Sequence, residues 1–278
     1  MKNTDWVFDK IVKKIVKKWK NIITLKEIES IVTDTDIQKF SFQSDSREDQ
    51  IKEKRIYQII YQLKWMGILV PLRNGIYFLP DSIEEKNLPE ELLIDRYYWR
   101  IIRACMMSQV GSEWIIAWEK ALELHMNDRS VPDALLVYTR STNKRIVLWW
   151  WRVLILKSIS AWKKEAWKNM FPFLFRHRDT IDMDGFVFSI LWREVAILDT
   201  LTMHNREEGM NQLLVVKFLR RYESLLSYDI FSKVVQLRYI RAMNRLRELS
   251  KYHGLDGVYR MSIDIIRQDG SGCFVSIE

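Results

Sequence analysis

Ile68-Leu69-Val70-Pro71-Leu72-Arg73-Asn74-Gly75-Ile76-Tyr77-Phe78-Leu79 decides how the first third of the chain folds. Two apolar, β-branched and aromatic runs flank an Asn-Gly pair. Asn and Gly tolerate the positive φ angles of a tight hairpin turn, so the stretch reads as two antiparallel strands. Upstream lie three helical patterns. Phe8, Ile11, Val12, Ile15, Val16 and Trp19 share one side of a helix, and Lys10, Lys13, Lys14, Lys17, Lys18 and Lys20 the other. Thr24 and Glu27 have capping-box spacing and open a short helix through Ile28, Ile31 and Val32. A polar loop, Thr33 to Ser46, follows. The third helix runs from about Arg47 to Trp65, burying Ile56, Ile59, Ile60 and Leu63 and turning Arg47, Gln50, Lys54 and Gln58 outward.

Three helices followed by a hairpin is the order of a winged helix–turn–helix. That arrangement docks one helix in the DNA major groove while the hairpin touches flanking backbone. The outward stripe suits base reading: Arg47 can pair with guanine, Gln50 and Gln58 with adenine, and Lys54 with guanine or phosphate. Arg73 beside the wing tip, with Lys13 and Lys17, is expected on the phosphate backbone. An ordinary solvated helix face would carry the same residues, so the stripe gains its meaning from the element order and the wing. Charge agrees. The chain of 278 residues has a formal net charge of +8, and residues 1–80 hold 15 Lys and Arg against 10 Asp and Glu. A basic excess concentrated in one segment is the usual footprint of polyanion contact.

Asp81 to Glu91, acidic and bounded by Pro80 and Pro89, reads as a linker. Beyond it, residues 92–278 read as a mixed α/β domain ending in a helical segment, which makes the whole chain α+β. Its expected elements are a helix around Leu92 to Met107 and a helical segment Glu119 to His125. Strands are expected at Ala134–Tyr138, Arg145–Leu148, Arg152–Lys157 and Phe186–Ile190. Helix follows from Arg193 to about His253, with Tyr228, Phe231, Val235, Tyr239, Ala242, Leu246 and Leu249 on one face. Arg238, Arg241 and Arg245 lie along its edge, either a solvated border or a partner site. A strand pair is expected at Val258–Ile266 and Cys273–Ile277.

Several functions find little support. No apolar run approaches the roughly 18 residues of a membrane helix, and Arg152 interrupts the densest one, Ile146 to Leu156. Cys105 and Cys273 make neither a disulfide framework nor a metal cluster. There is no Gly-rich phosphate loop and no His-Glu-x-x-His, so no catalytic residue, cofactor or metal is expected. The rival enzyme reading is a metal-dependent nuclease in the second domain, drawing on Asp133, Lys157, Glu165, Asp182 and Asp184. Glu165 lies too far along for the usual Glu-x-Lys pair, and the two later acids fit a turn equally well. His125, His177, His204 and His253 form no spaced ligand set. The Lys-rich first helix would also suit a membrane surface, but a winged helix needs it for packing. The expected setting is the cytoplasm.

Four segments, in order, resemble AbiEi-type antitoxins, the transcriptional regulators of type IV toxin–antitoxin and abortive-infection operons. Gly67-Ile68-Leu69 with Gly75-Ile76-Tyr77-Phe78-Leu79-Pro80 resembles that family's wing. Ile115-Ile116-Ala117-Trp118-Glu119-Lys120-Ala121-Leu122-Glu123-Leu124-His125 resembles the segment opening its second domain. Arg193-Glu194-Val195-Ala196-Ile197-Leu198-Asp199 resembles a later helix start, and Arg245-Leu246-Arg247-Glu248-Leu249 the closing helix. The resemblance implies a repressor of its own operon that binds inverted repeats in the upstream double-stranded DNA. It also implies an antitoxin that counteracts a nucleotidyltransferase-like toxin in phage defence, with no stable complex required. A plain winged-helix regulator without antitoxin activity shares the same first domain.

The chain departs from that pattern at glycines. The family has Gly where this chain has Trp118, and at or near Trp114. The sequence holds 9 Gly and 12 Trp, whereas Gly at about 7% would give roughly 20. Trp149-Trp150-Trp151 sits between two expected strands, where a glycine turn would be natural. Two readings stand side by side: some or all of these tryptophans correspond to UGA codons read as glycine in the cell of origin, or the chain is genuinely rich in tryptophan.

Overall fold

The computed structural model describes residues 2–18, 21–36, 48–72, 75–159, 170–202 and 208–268. The chain is α+β. It divides into two units, one of residues 1–112 with 148–150, the other of residues 113–147 and 151–278.

The first unit starts with helix α1 (Lys2–Lys18), strand β1 (Ile22–Thr24), α2 (Leu25–Asp36) and α3 (Glu48–Trp65), followed by β2 (Val70–Pro71) and β3 (Ile76–Phe78). The expected three helices and hairpin are present, with a strand that the periodicity did not reveal. β1 is too short for alternation to register, yet it pairs antiparallel with β3, Ile22 against Phe78 and Thr24 against Ile76. β2 lies on the other side of β3, Val70 against Phe78, so the sheet order is β1-β3-β2. Arg73 and Asn74 at the turn lie outside the described residues; Gly75 takes φ +70°.

Ile11 and Ile15 of α1, Ile28, Ile31 and Val32 of α2, and Ile56, Ile60 and Leu63 of α3 form one core. Ile59 is only partly buried against it, and Val16 is 59% exposed rather than core-facing. The capping box forms as expected. The Glu27 N–H donates to Thr24 Oγ1 at 3.3 Å, while the Thr24 N–H donates to Glu27 Oε2 at 2.7 Å. α2 then runs to Asp36, so Thr33–Asp36 is helix and not loop. α3 ends at Gly67, which takes φ +66°. The Ile68 N–H reaches back to the Leu63 carbonyl and the Gly67 N–H to that of Lys64, the bonding of a glycine-terminated helix.

The boundary expected at residues 81–91 moves downstream. Ser82 caps a short helix α4 (Ile83–Lys86), and α5 (Glu90–Arg96) and α6 (Tyr98–Gln109) follow, broken at Tyr97. α6 packs on β1 and β3. Asn21, itself at φ +65°, ties the pieces together. Its carbonyl oxygen accepts from Arg100 of α6 at 2.7 Å, its amide donates to Asp81 at 2.9 Å, and its backbone oxygen accepts from the Leu79 N–H. Lys26 Nζ donates to the Ser108 carbonyl. A proline-bounded acidic stretch looks like a linker in sequence; here it carries two short helices and Glu85 holds its start to Tyr97. Glu85 takes the Asp81 N–H and the Tyr97 hydroxyl.

The second unit is built on a six-stranded mixed sheet of β4 (Trp114–Ile116), β5 (Ala134–Thr139), β6 (Lys144–Val147), β7 (Val153–Ser158), β8 (Asp179–Met183) and β9 (Phe186–Ile190), in the order β6-β7-β5-β4-β9-β8. β5 and β7 are parallel, Leu136 opposite Ile155, and β4 and β9 are parallel; the other pairs are antiparallel. Leu135 through Thr139 are all buried, so this strand is covered on both faces, which is why it reads as a continuous apolar run. Helices α7 (Trp118–His125), α8 (Met170–Arg176), α9 (Arg193–Thr202), α10 (Glu208–Tyr222), α11 (Tyr228–Val234), α12 (Ile240–Tyr252) and α13 (Asp256–Gln268) complete the unit. Phe231, Val235, Tyr239, Ala242, Leu246 and Leu249 enter its core. The strand expected at Val258–Ile266 is instead part of α13. Val258, Ser262, Ile265 and Ile266 are its buried residues, at helical spacing. Residues 273–277 lie outside the described residues.

Candidate nucleic-acid interface

α3 has two unlike sides. Ile56, Ile60 and Leu63 anchor one in the core, and the burial of that side fixes what the other can present. Lys54, Gln58, Gln62 and Lys64 are exposed there. So are Tyr57 (52%), Tyr61 (70%) and Trp65 (83%). Burial first, and Tyr57 second, push the Tyr77 hydroxyl up from its ordinary value. On α1, Lys13 and Lys17 are exposed.

Of the residues singled out in the sequence, Lys54 and Gln58 share this face. Gln50 lies on α3, but its side chain is outside the described residues, as are Arg47 and Arg73 altogether. Tyr57, Tyr61 and Trp65 were missed. Their signal was present, since residues 54, 57, 58, 61 and 65 recur at helical spacing opposite the apolar stripe, but aromatic residues are normally assigned to a core.

The second unit holds a buried polar knot. Asp199 of α9 accepts the Tyr138 hydroxyl at 2.7 Å and the Tyr239 hydroxyl at 3.2 Å on Oδ1, and the Trp118 N–H at 3.1 Å on Oδ2. Burial raises its carboxyl above the ordinary range, opposed by those three donors and by Lys157. Burial and Asp199 together push both phenols well above 10. Glu194, on the same helix, accepts the Ser227 N–H at 2.8 Å, and burial raises its carboxyl too. Two of the segments quoted above, Ile115–His125 and Arg193–Asp199, thus meet inside the core. Ile115, Ala117, Ala121 and Leu122 of the first and Val195 to Leu198 of the second belong to one core.

The other candidates are dispersed. Asp133 pairs with Arg152 at 3.1 Å. Asp182 accepts the Gly185 N–H in the β8–β9 turn, where Asp184 takes φ +56°. Lys157 stands opposite Tyr138, and Glu165 lies outside the described residues. Among the described residues, no group of three or more His, Cys, Asp or Glu could hold a metal ion. His125 donates from Nε2 to the Leu191 carbonyl at 2.7 Å, and burial lowers its pKa. His177 stacks on Trp192 and His253 ends α12; His204 lies outside the described residues. Arg245 spends a guanidinium N–H on the Leu201 carbonyl, Arg241 is exposed, and the Arg238 side chain is outside the described residues. Cys105 is buried. Among the described residues, no helix is long and apolar enough to cross a membrane.

Neither a protein-family model nor a curated protein matches the chain. The fold is similar to the crystal structure of the RV2827C protein from Mycobacterium tuberculosis, with a TM-score of 0.54 over 94% of this chain and 81% of that one. At 13% sequence identity, the likeness is one of fold.

Proposed function

We propose that this protein is a winged-helix DNA-binding autorepressor and the antitoxin of a type IV toxin–antitoxin pair, counteracting a nucleotidyltransferase-like toxin. The observation carrying the first half is the outward face of α3. Lys54, Gln58, Tyr57 and Tyr61 lie exposed on a helix that precedes an antiparallel strand pair, in the element order α1-β1-α2-α3-β2-β3. A helix so presented can enter a major groove while the wing and the lysines of α1 meet phosphate. The antitoxin half rests on the resemblance of the four segments. The reading needs no catalytic step, cofactor or metal, and it belongs in the cytoplasm, where the operator DNA is.

Gel-shift titration against the DNA upstream of the gene tests the repressor half, with salt and non-specific competitor varied. Binding that falls with salt yet resists competitor is expected; equal affinity for unrelated duplex would defeat autorepression. Co-expression with a neighbouring nucleotidyltransferase-like gene tests the other half. Relief of growth arrest is expected, and persistent arrest beside intact DNA binding would leave a plain regulator.

A further inference from the structure

We infer that Tyr61 is a specificity-determining residue of the α3 face: its ring covers the C5-methyl group of a thymine beside the base that Gln58 reads. The bound duplex therefore carries A·T pairs under the middle of the helix. This rests on the reading of α3 as the docking helix.

At 100° per residue, Lys54, Gln58, Tyr61 and Trp65 fall within about 60° of arc, opposite the buried Ile56, Ile60 and Leu63. Tyr61 is 70% exposed, so most of its surface is open to a partner. On the same count Tyr57 lies about 70° from the middle of that arc, which leaves Tyr61 as the phenol nearest the centre of the face. An exposed tyrosine ring gains by covering apolar surface while its hydroxyl stays wet. On the floor of the major groove, the apolar feature is the thymine methyl. Gln58 stands three residues before Tyr61, and side chains so spaced are about 5–6 Å apart at Cβ. That is between one and two steps of about 3.4 Å along the duplex. Gln58 can hold adenine through N6 and N7, so both side chains select the same kind of base pair. The exposed Lys54 and the basic balance of residues 1–80 supply charge complementary to DNA.

The test uses the full chain and duplexes of the upstream DNA in which each thymine of the protected region is replaced in turn by uracil, which lacks only the methyl. One or two positions should weaken binding by about 4-fold, ~0.8 kcal/mol, the value of one buried methylene. In Tyr61→Ala the overall affinity should fall by a similar factor and the uracil penalty at that position should vanish. In Tyr61→Phe, which keeps the ring, the penalty should remain. Indifference to uracil everywhere, or an undiminished penalty in Tyr61→Ala, overturns the inference while leaving DNA binding in place. A dimer that Tyr61→Ala dissociates without touching DNA affinity overturns it in favour of a second copy on this face. If the parent shows no preference for the upstream duplex, the docking reading fails first and this inference with it.

Discussion

The Asp199 carboxylate accepts the backbone N–H of Trp118 across 81 positions of sequence, and so caps a helix that cannot cap itself. Ala117 precedes α7 and has no side-chain oxygen to offer. The orphan N–H of the first turn is met from α9, and the same carboxylate holds the hydroxyls of Tyr138 on β5 and Tyr239 before α12. One buried side chain therefore fixes the sheet, α7 and α12 relative to α9.

Removing it should be costly. Asp199→Ala leaves three buried donors without an acceptor, and each orphan costs about 1–3 kcal/mol. The variant should lose at least about 3 kcal/mol in urea unfolding. Asp199→Asn should lose less, because an amide can turn its oxygen to the Trp118 N–H and offer its NH2 to the phenol oxygens. Equal losses in the two variants would show that the knot contributes volume and not hydrogen bonding.

Trp118 itself takes φ +62°, a left-handed conformation that costs a residue with a Cβ roughly 1–2 kcal/mol. Its buried indole N–H has no hydrogen-bond partner among the described residues. Trp118→Gly should therefore be more stable than Trp118→Ala by about 1 kcal/mol, since both remove the indole and only glycine relieves the backbone. Trp114 behaves oppositely. It is buried in β4 with its ring edge-on to Phe188, and glycine there would leave a large void. Recoding of UGA as glycine thus fits Trp118 and not Trp114. An intact mass of natively produced protein matching all 12 tryptophans would dismiss it.

His125 predicts a pH dependence. Burial depresses its pKa, opposed by the Leu191 carbonyl and Asp179 and assisted by Arg193. The unfolded chain then binds a proton more readily, so stability from this residue is lost as pH falls through the ordinary imidazole value, about 6.5. Asp199 and Glu194 act with the other sign. Their raised folded pKa values mean that stability is regained as pH falls through them. A comparison of parent with His125→Gln, which keeps a donor for Leu191, cancels the carboxylates. Between about pH 7.5 and about pH 5.5 the parent should lose more stability than the variant. Parallel losses would mean that His125 takes up its proton as readily in the fold as in the unfolded chain.

The first unit was more legible than the second, for physical reasons. The capping box, the Asn-Gly hairpin and the buried positions of α3 are local patterns, complete within a few residues. β1 and β4 are three-residue strands, too short to show a period, and both exist through their partners. The Asp81–Glu91 stretch has the composition of a linker, yet Glu85 answers the Asp81 N–H and the Tyr97 hydroxyl, and Asp81 the Asn21 amide, partners that composition does not display. On the exposed face of α3, Lys54 and Gln58 stand out by residue type. Tyr61 and Trp65 were passed over because an aromatic stripe ordinarily means core, and only their exposure on α3 separates the two cases.

Salt dependence separates the two kinds of contact on the proposed interface. Lys17 is exposed on α1, and a lysine that neutralises one phosphate contributes about 0.9 to the slope of log affinity against log salt. Lys17→Ala should weaken binding to all duplexes alike and flatten that slope by about this amount. Gln58→Ala should leave the slope unchanged, and Arg47→Ala should flatten it only if the guanidinium touches phosphate. Each should cost about 1–3 kcal/mol of preference for the upstream DNA over unrelated sequence. Lys54 is the informative case, because it can reach either guanine or phosphate. A Lys54→Ala variant with a flattened slope and unchanged preference would place its ammonium on the backbone, and lost preference at constant slope would place it on a base. If Lys17→Ala, Gln58→Ala and Lys54→Ala all bind like the parent, the α3 face is not the docking surface.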